Sequence, residues 1–146
     1  MTPESLHFTL DSTLETVERI EHLATEHAQR MGFAGPSMDQ IILAVHETAA
    51  NAVFHGNGGQ ADKKVFVDIT LSENQFKITI ADQGKGFDPA KVPDPLGAEE
   101  IFRERGRGVF LSKALMDEYQ VQCPVSGGSI VTLVKYLKHS DGKGHS

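Results

Sequence analysis

At 146 residues and 15.9 kDa the chain has the size of one ordinary domain, and its hydrophobic share of 39% is that of a folded protein. Its 14 lysines and arginines against 20 aspartates and glutamates leave a net charge of −6, which argues against a surface built to grip nucleic-acid phosphates. No apolar run approaches the roughly 18 residues of a membrane span, the opening MTPESLHFTL lacks the segments of a secretory signal, and the one cysteine, Cys123, excludes an internal disulfide or a cysteine zinc cluster. The expectation is a cytoplasmic protein with no membrane or direct nucleic-acid contact.

Residues 6–10 alternate apolar and polar side chains and predict a short strand. Asp11-Ser12-Thr13 then offers an N-cap to a helix in which Leu14, Val17, Ile20, Leu23 and Ala24 recur at helical spacing as far as Met31, where Gly32 ends it. Ser37-Met38-Asp39-Gln40 reads as a capping box opening a second helix. Its apolar face is Ile41, Ile42, Val45, Ala49, Ala52 and Val53, and Gly56-Asn57-Gly58-Gly59 stops it. Residues 64–71 and 75–82 alternate with period two around Ser72-Glu73-Asn74, which predicts a hairpin.

From Gln83 to Arg105 the periodicity vanishes among Gly84, Gly86, Pro89, Pro93, Pro95 and Gly97. A loop of about twenty residues in so small a domain is normally functional or mobile. Gly106-Arg107-Gly108 is expected to head a third helix carrying Val109, Phe110, Leu111, Leu115 and Met116. Strands at 119–123 and 129–137, joined through Gly127-Gly128, close the domain, and residues 139–146 form a polar tail. This order predicts one domain over residues 1–138, an α/β two-layer sandwich with helices on one face of a mixed, mostly antiparallel sheet.

Three constellations carry chemistry. Glu47, Asn51 and His55 follow one another at four-residue steps, so a regular helix places them in one polar stripe. An acid, an amide and an imidazole in a row suit a base, a metal ligand and a phosphate donor; a solvated face is the plain alternative. Asp82-Gln83-Gly84-Lys85-Gly86-Phe87 sets a carboxylate at a strand end, and its glycines permit close approach of a flat ligand; a turn without ligand is the alternative. Gly106-Arg107-Gly108, at the expected start of a helix, suits an anion held by backbone N–H groups, or else a flexible junction.

In their order along the chain the three segments resemble the Bergerat ATP-binding fold of gyrase, Hsp90, histidine kinases and MutL. His46–Ala52 with His55-Gly56 looks like its N box, and residues 82–87 and 106–108 like its two glycine boxes. Within that superfamily the chain is most similar to the bacterial anti-sigma factor serine kinases, sharing His-Gly after the N box, Arg-Gly-Arg-Gly near the third helix and the closing strand.

The resemblance implies ATP and Mg²⁺, with Asn51 giving its side-chain oxygen to the metal and Glu47 acting as general base toward a serine hydroxyl. It implies that Asp82 accepts from the adenine amino group, that Gly84 and Gly86 let the backbone lie against the purine, and that Thr132 reaches the same site through water. Gly106 and Gly108 would present N–H groups to the phosphates, with His55 and Arg107 beside them. Arg105 is the first candidate to stabilise the γ-phosphoryl charge, Arg103 and Arg107 being able to replace it, and residues 88–105 would form the lid. The partners implied are a sigma factor and a STAS-type anti-anti-sigma protein, with a homodimer formed through the sheet. Two rival readings are a non-catalytic ATP-binding regulatory module and a detached histidine-kinase-like catalytic domain. Against the latter, 146 residues leave no room for a dimerisation domain, and His22 and His27 read as surface histidines.

Overall fold

Thr13 starts the first helix as expected: its hydroxyl accepts from the Thr16 N–H at 3.3 Å, and Gly32, in the left-handed region, closes the helix. These features come from a computed structural model that describes residues 4–84 and 100–138, with side chains of the third helix described from residue 107 onward. Gly86, residues 88–99 of the expected lid, the Arg105 side chain and the 139–146 tail lie outside the described residues.

The elements run β1 (Glu4–Asp11), α1 (Leu14–Met31), α2 (Gly35–Ala50), a π-helical turn (Asn51–Gly56), β2 (Lys64–Ser72), β3 (Gln75–Ala81), α3 (Glu100–Leu115), β4 (Glu118–Gln122) and β5 (Ile130–Tyr136). The strands lie in the order β1-β2-β3-β5-β4, and every neighbouring pair is antiparallel. The sheet is thus antiparallel throughout the described strands, where a partly mixed one was expected.

The period-two pattern decides which face is covered. Val65, Val67, Ile69 and Leu71 of β2, Phe76, Ile78 and Ile80 of β3, and Val131 and Leu133 of β5 are buried against Val17, Ile20 and Ala24 of α1 and Ile41, Val45 and Ala49 of α2. Each such side chain contributes about 1.5–3 kcal/mol by leaving water. The alternate residues point away from the helices: Phe66 and Asp68 are exposed, and Thr79 pairs with Thr132 across the outer face.

Two helix starts differ from expectation. The capping box at Ser37 is not used: α2 begins at Gly35 behind an extended Ala34, with no side-chain cap. Pro36 accounts for the earlier start, since proline lacks the N–H that the first turn leaves unpaired and its φ is already helical. The third helix begins at Glu100, six residues before Gly106. Residues 100–105, Glu-Ile-Phe-Arg-Glu-Arg, contain neither glycine nor proline, so helix propagates through them at little cost.

Thr13→Ala, which removes the α1 cap far from the cleft described next, is expected to cost about 1 kcal/mol, or roughly 3 °C in Tm, by thermal unfolding.

Candidate functional site

Glu47 and Asn51 stand one turn apart on the side of α2 that meets α3. At Asn51 the helix loosens into the π-helical turn, with the Asn57 N–H donating to Ala52 O at 2.9 Å, five residues back. Such turns are rare and recur at functional sites. The turn breaks the even four-residue stripe expected of a regular helix. Glu47, Asn51 and His55 nevertheless line one open cleft of about 460 Å³, together with Phe54 and Arg107.

Asn51 also borders a second, smaller space, a slot between α2, α3 and the sheet lined by Ile80, Asp82, Ser112, Tyr119 and Ser129. Its free space is about 10 Å³, the room of one water, so a flat ring is admitted only as these walls part.

Asp82 is buried at the inner end. Its Oδ1 accepts from the Gly84 N–H at 2.9 Å and the Ser129 N–H at 3.2 Å, and its Oδ2 accepts from the Ser129 hydroxyl at 2.6 Å. Three donors offset the loss of water around the carboxyl group and hold its plane in one orientation. The segment around it is packed backbone to backbone: a Cβ on Gly84 would lie 1.8 Å from Gly56 O, and one on Gly56 2.4 Å from Asp82 Cγ. Only hydrogen fits on either side.

Gly108 makes the third approach. A Cβ there would lie 2.9 Å from Glu47 Oε1 and 3.2 Å from Asn51 Nδ2, so α3 rests directly on the acid and the amide of α2. The structure therefore brings together Glu47, Asn51, His55, Arg107 and Gly108 at the cleft, and Asp82 and Gly84 at the slot.

Two expectations are corrected. Gly106 and Gly108 do not head their helix; both lie beyond its first four residues, whose N–H groups alone lack an intrahelical partner. Gly108 packs closely on Glu47 and Asn51 instead. Thr132 does not reach the slot: its neighbours Val131 and Leu133 face the helices, so period two turns it outward, 3.3 Å from Thr79 Oγ1. Ser129 takes the place beside Asp82 instead. It went unread because its only signal, a hydroxyl after Gly127-Gly128, does not tell where the strand begins. Gly86 and the Arg105 side chain lie outside the described residues.

An Mg²⁺ ion fits the donor chemistry. Asn51 offers a hard amide oxygen beside an open cleft with room for waters, which suits an ion that takes few protein ligands and keeps its hydration. Among the described residues no cluster of three or more His, Cys, Asp or Glu gathers to hold a metal unaided.

A family model described as the histidine kinase-like ATPase domain matches residues 10–135. The serine-protein kinase RsbW of Oceanobacillus iheyensis is 31% identical over 120 residues, covering 78% of this chain and 75% of the relative. The anti-sigma F factor of Bacillus cereus is 32% identical over 142 residues, 94% of each chain. Among solved structures, the RsbU and RsbW domains of Rv1364c from Mycobacterium tuberculosis superpose with a TM-score of 0.66 at 22% identity, over 90% of this chain and 31% of that longer one. The catalytic domain of histidine kinase ThkA superposes with a TM-score of 0.54 at 9% identity, over 90% of this chain and 97% of that one. At such identities the two superpositions speak for the fold. No helix among the described residues is long and apolar enough to cross a membrane.

Proposed function

The chain belongs to the histidine kinase-like ATPase domain family and stands with the RsbW-type and anti-sigma F serine kinases, and from that premise we propose that it transfers the γ-phosphoryl group of ATP to a serine of a small STAS-type anti-anti-sigma protein. It also sequesters a sigma factor, and the two partners compete for it in the cytoplasm: the unphosphorylated antagonist captures the kinase, and phosphorylation returns the kinase to the sigma factor.

The observation that supports this most is the place of Asn51, which borders both the slot with the triply held carboxyl group and the cleft carrying an acid and an arginine. In this reading Asp82 accepts from the adenine amino group and so rejects guanine, which carries a carbonyl there. Asn51 would hold the metal through its amide oxygen, and the metal would supply positive charge to neutralise the phosphates. Glu47, at the mouth of the cleft, takes the serine proton as the hydroxyl oxygen attacks the γ-phosphorus and ADP departs. Arg105 stabilises the charge that grows on the transferred group, with Arg103 and Arg107, the latter bordering the cleft, as its alternatives.

Incubation with labelled ATP, Mg²⁺ and the cognate antagonist is expected to label that protein on an acid-stable serine. Wild-type protein that binds ATP and labels no such partner refutes the kinase reading, and acid-labile label on a histidine would favour the histidine-kinase alternative.

A further inference from the structure

Asn57 is the buried polar residue for which neither the fold nor the proposed reaction has yet given a reason. Its backbone, φ −88 and ψ −3, lies on the negative-φ side open to any residue, so the position does not need asparagine for its conformation. Its side chain is 1% exposed. The amide Nδ2 donates to Ser12 Oγ at 2.7 Å and to Lys64 O at 2.9 Å, while Oδ1 accepts the Gln83 N–H at 2.7 Å.

Both ends of this link are themselves held. Ser12 is buried and passes its own proton to Lys63 O at 2.8 Å, and Gln83 Oε1 accepts the Lys64 N–H at 2.6 Å. On one side stand the β1–α1 junction and the start of β2, which belong to the rigid sheet. On the other stands the peptide that follows Asp82. The residue before Asn57 is Gly56, whose Cα lies against the Asp82 carboxyl group, and Gly84 in turn rests on Gly56 O. The two glycine-edged segments that meet at Asp82 are thus joined by one side chain, from Asn57 to the Gln83 N–H.

We infer that Asn57 is a positioning residue for nucleotide binding: it fixes the Asp82 loop at the inner end of the slot by holding the Gln83 N–H from the sheet. The inference rests on the reading of Asp82 as the adenine acceptor. A buried amide engaged at both its oxygen and its nitrogen holds a single geometry, and removing it takes from the Gln83 N–H and Lys64 O the bonds that tie them together. With that bond gone, the carboxyl group is no longer set in place before the ligand arrives, and part of the binding energy is spent on ordering it.

The test compares ATP dissociation constants by calorimetry, at a temperature where every variant is folded, with Tm by thermal unfolding. Asn57→Ala is expected to raise the ATP Kd about tenfold. Asn57→Asp, which keeps the acceptor for Gln83 and loses the donors to Ser12 Oγ and Lys64 O, is expected to lower Tm yet bind ATP nearly as wild type does. Gly32→Ala, a destabilising change at the end of α1 opposite Ser12, where the left-handed backbone opposes a Cβ, is expected to leave the Kd unchanged. A Kd that follows Tm across the three variants, an unchanged Kd in Asn57→Ala, or equal losses in the Ala and Asp variants overturns the inference. If Asn57→Ala does not fold, Asn57→Ser, whose shorter side chain does not span to the Gln83 N–H, is read in the same way. Wild-type protein that takes up no ATP refutes the reading of Asp82 instead.

Discussion

Replacing Glu47 by alanine is expected to slow serine phosphorylation by roughly 10²–10⁴-fold, the usual worth of a positioned general base, while fold and ATP affinity persist. Glu47 takes no part in the apolar core and borders the open cleft, so its loss removes no large buried area. Its Oε1 lies under Gly108, and truncation leaves space there without forcing a clash. Glu47→Gln separates chemistry from shape: the amide keeps the size and the contact with α3 but does not accept the serine proton. It should therefore be as slow as the alanine variant. The readouts are transfer of label from ATP to the antagonist, and ATP uptake by calorimetry. A glutamine variant with wild-type transfer would leave Glu47 a packing role and remove the base from the mechanism.

Gly84→Ala is expected to be severely damaging for a change of one methyl group. The added Cβ would lie 1.8 Å from the carbonyl oxygen of Gly56, and that oxygen belongs to backbone, which does not swing aside as a side chain does. The Asp82 loop must move, losing the Gly84 N–H donor to Asp82 and the Gly128 N–H bond to Gly84 O at 2.6 Å. Overpacking of this kind costs on the order of 3 kcal/mol, or roughly 10 °C in Tm, and ATP binding should be lost with it. Gly58→Ala is the matched comparison. Gly58 has φ +63 but open space around its Cα, so only the left-handed backbone opposes alanine, at about 1–2 kcal/mol. ATP binding should survive there. Equal effects of the two substitutions would mean that the contact between Gly84 and Gly56 does not shape the slot.

Much of the fold was legible from local pattern. The alternation Val65-Val67-Ile69-Leu71 and the capped run from Thr13 to Gly32 each carry their own period, and these two elements appear within two residues of the expected limits. The helix starts at Gly35 and Glu100 were misjudged for a shared reason. A hydroxyl or a glycine box is a permissive signal, and the neighbouring Pro36, or six good helix formers in a row, outweighed it.

The sequence by itself determined a two-layer α/β sandwich, the gathering of Glu47, Asn51 and His55 on one side of a helix, and Asp82 with Gly84 at a strand end. These follow from periodicity and from short-range backbone chemistry, which act within a few residues. Tertiary structure alone decided that Thr132 turns outward and Ser129 stands beside Asp82, because strand register sets the facing of each residue on β5. It alone decided that Gly108 lies on Glu47, and that Asn57 joins Ser12, Lys64 and Gln83, positions 45, 7 and 26 residues away along the chain. Contacts at such separations depend on how whole elements pack, and a one-dimensional pattern carries no term for that.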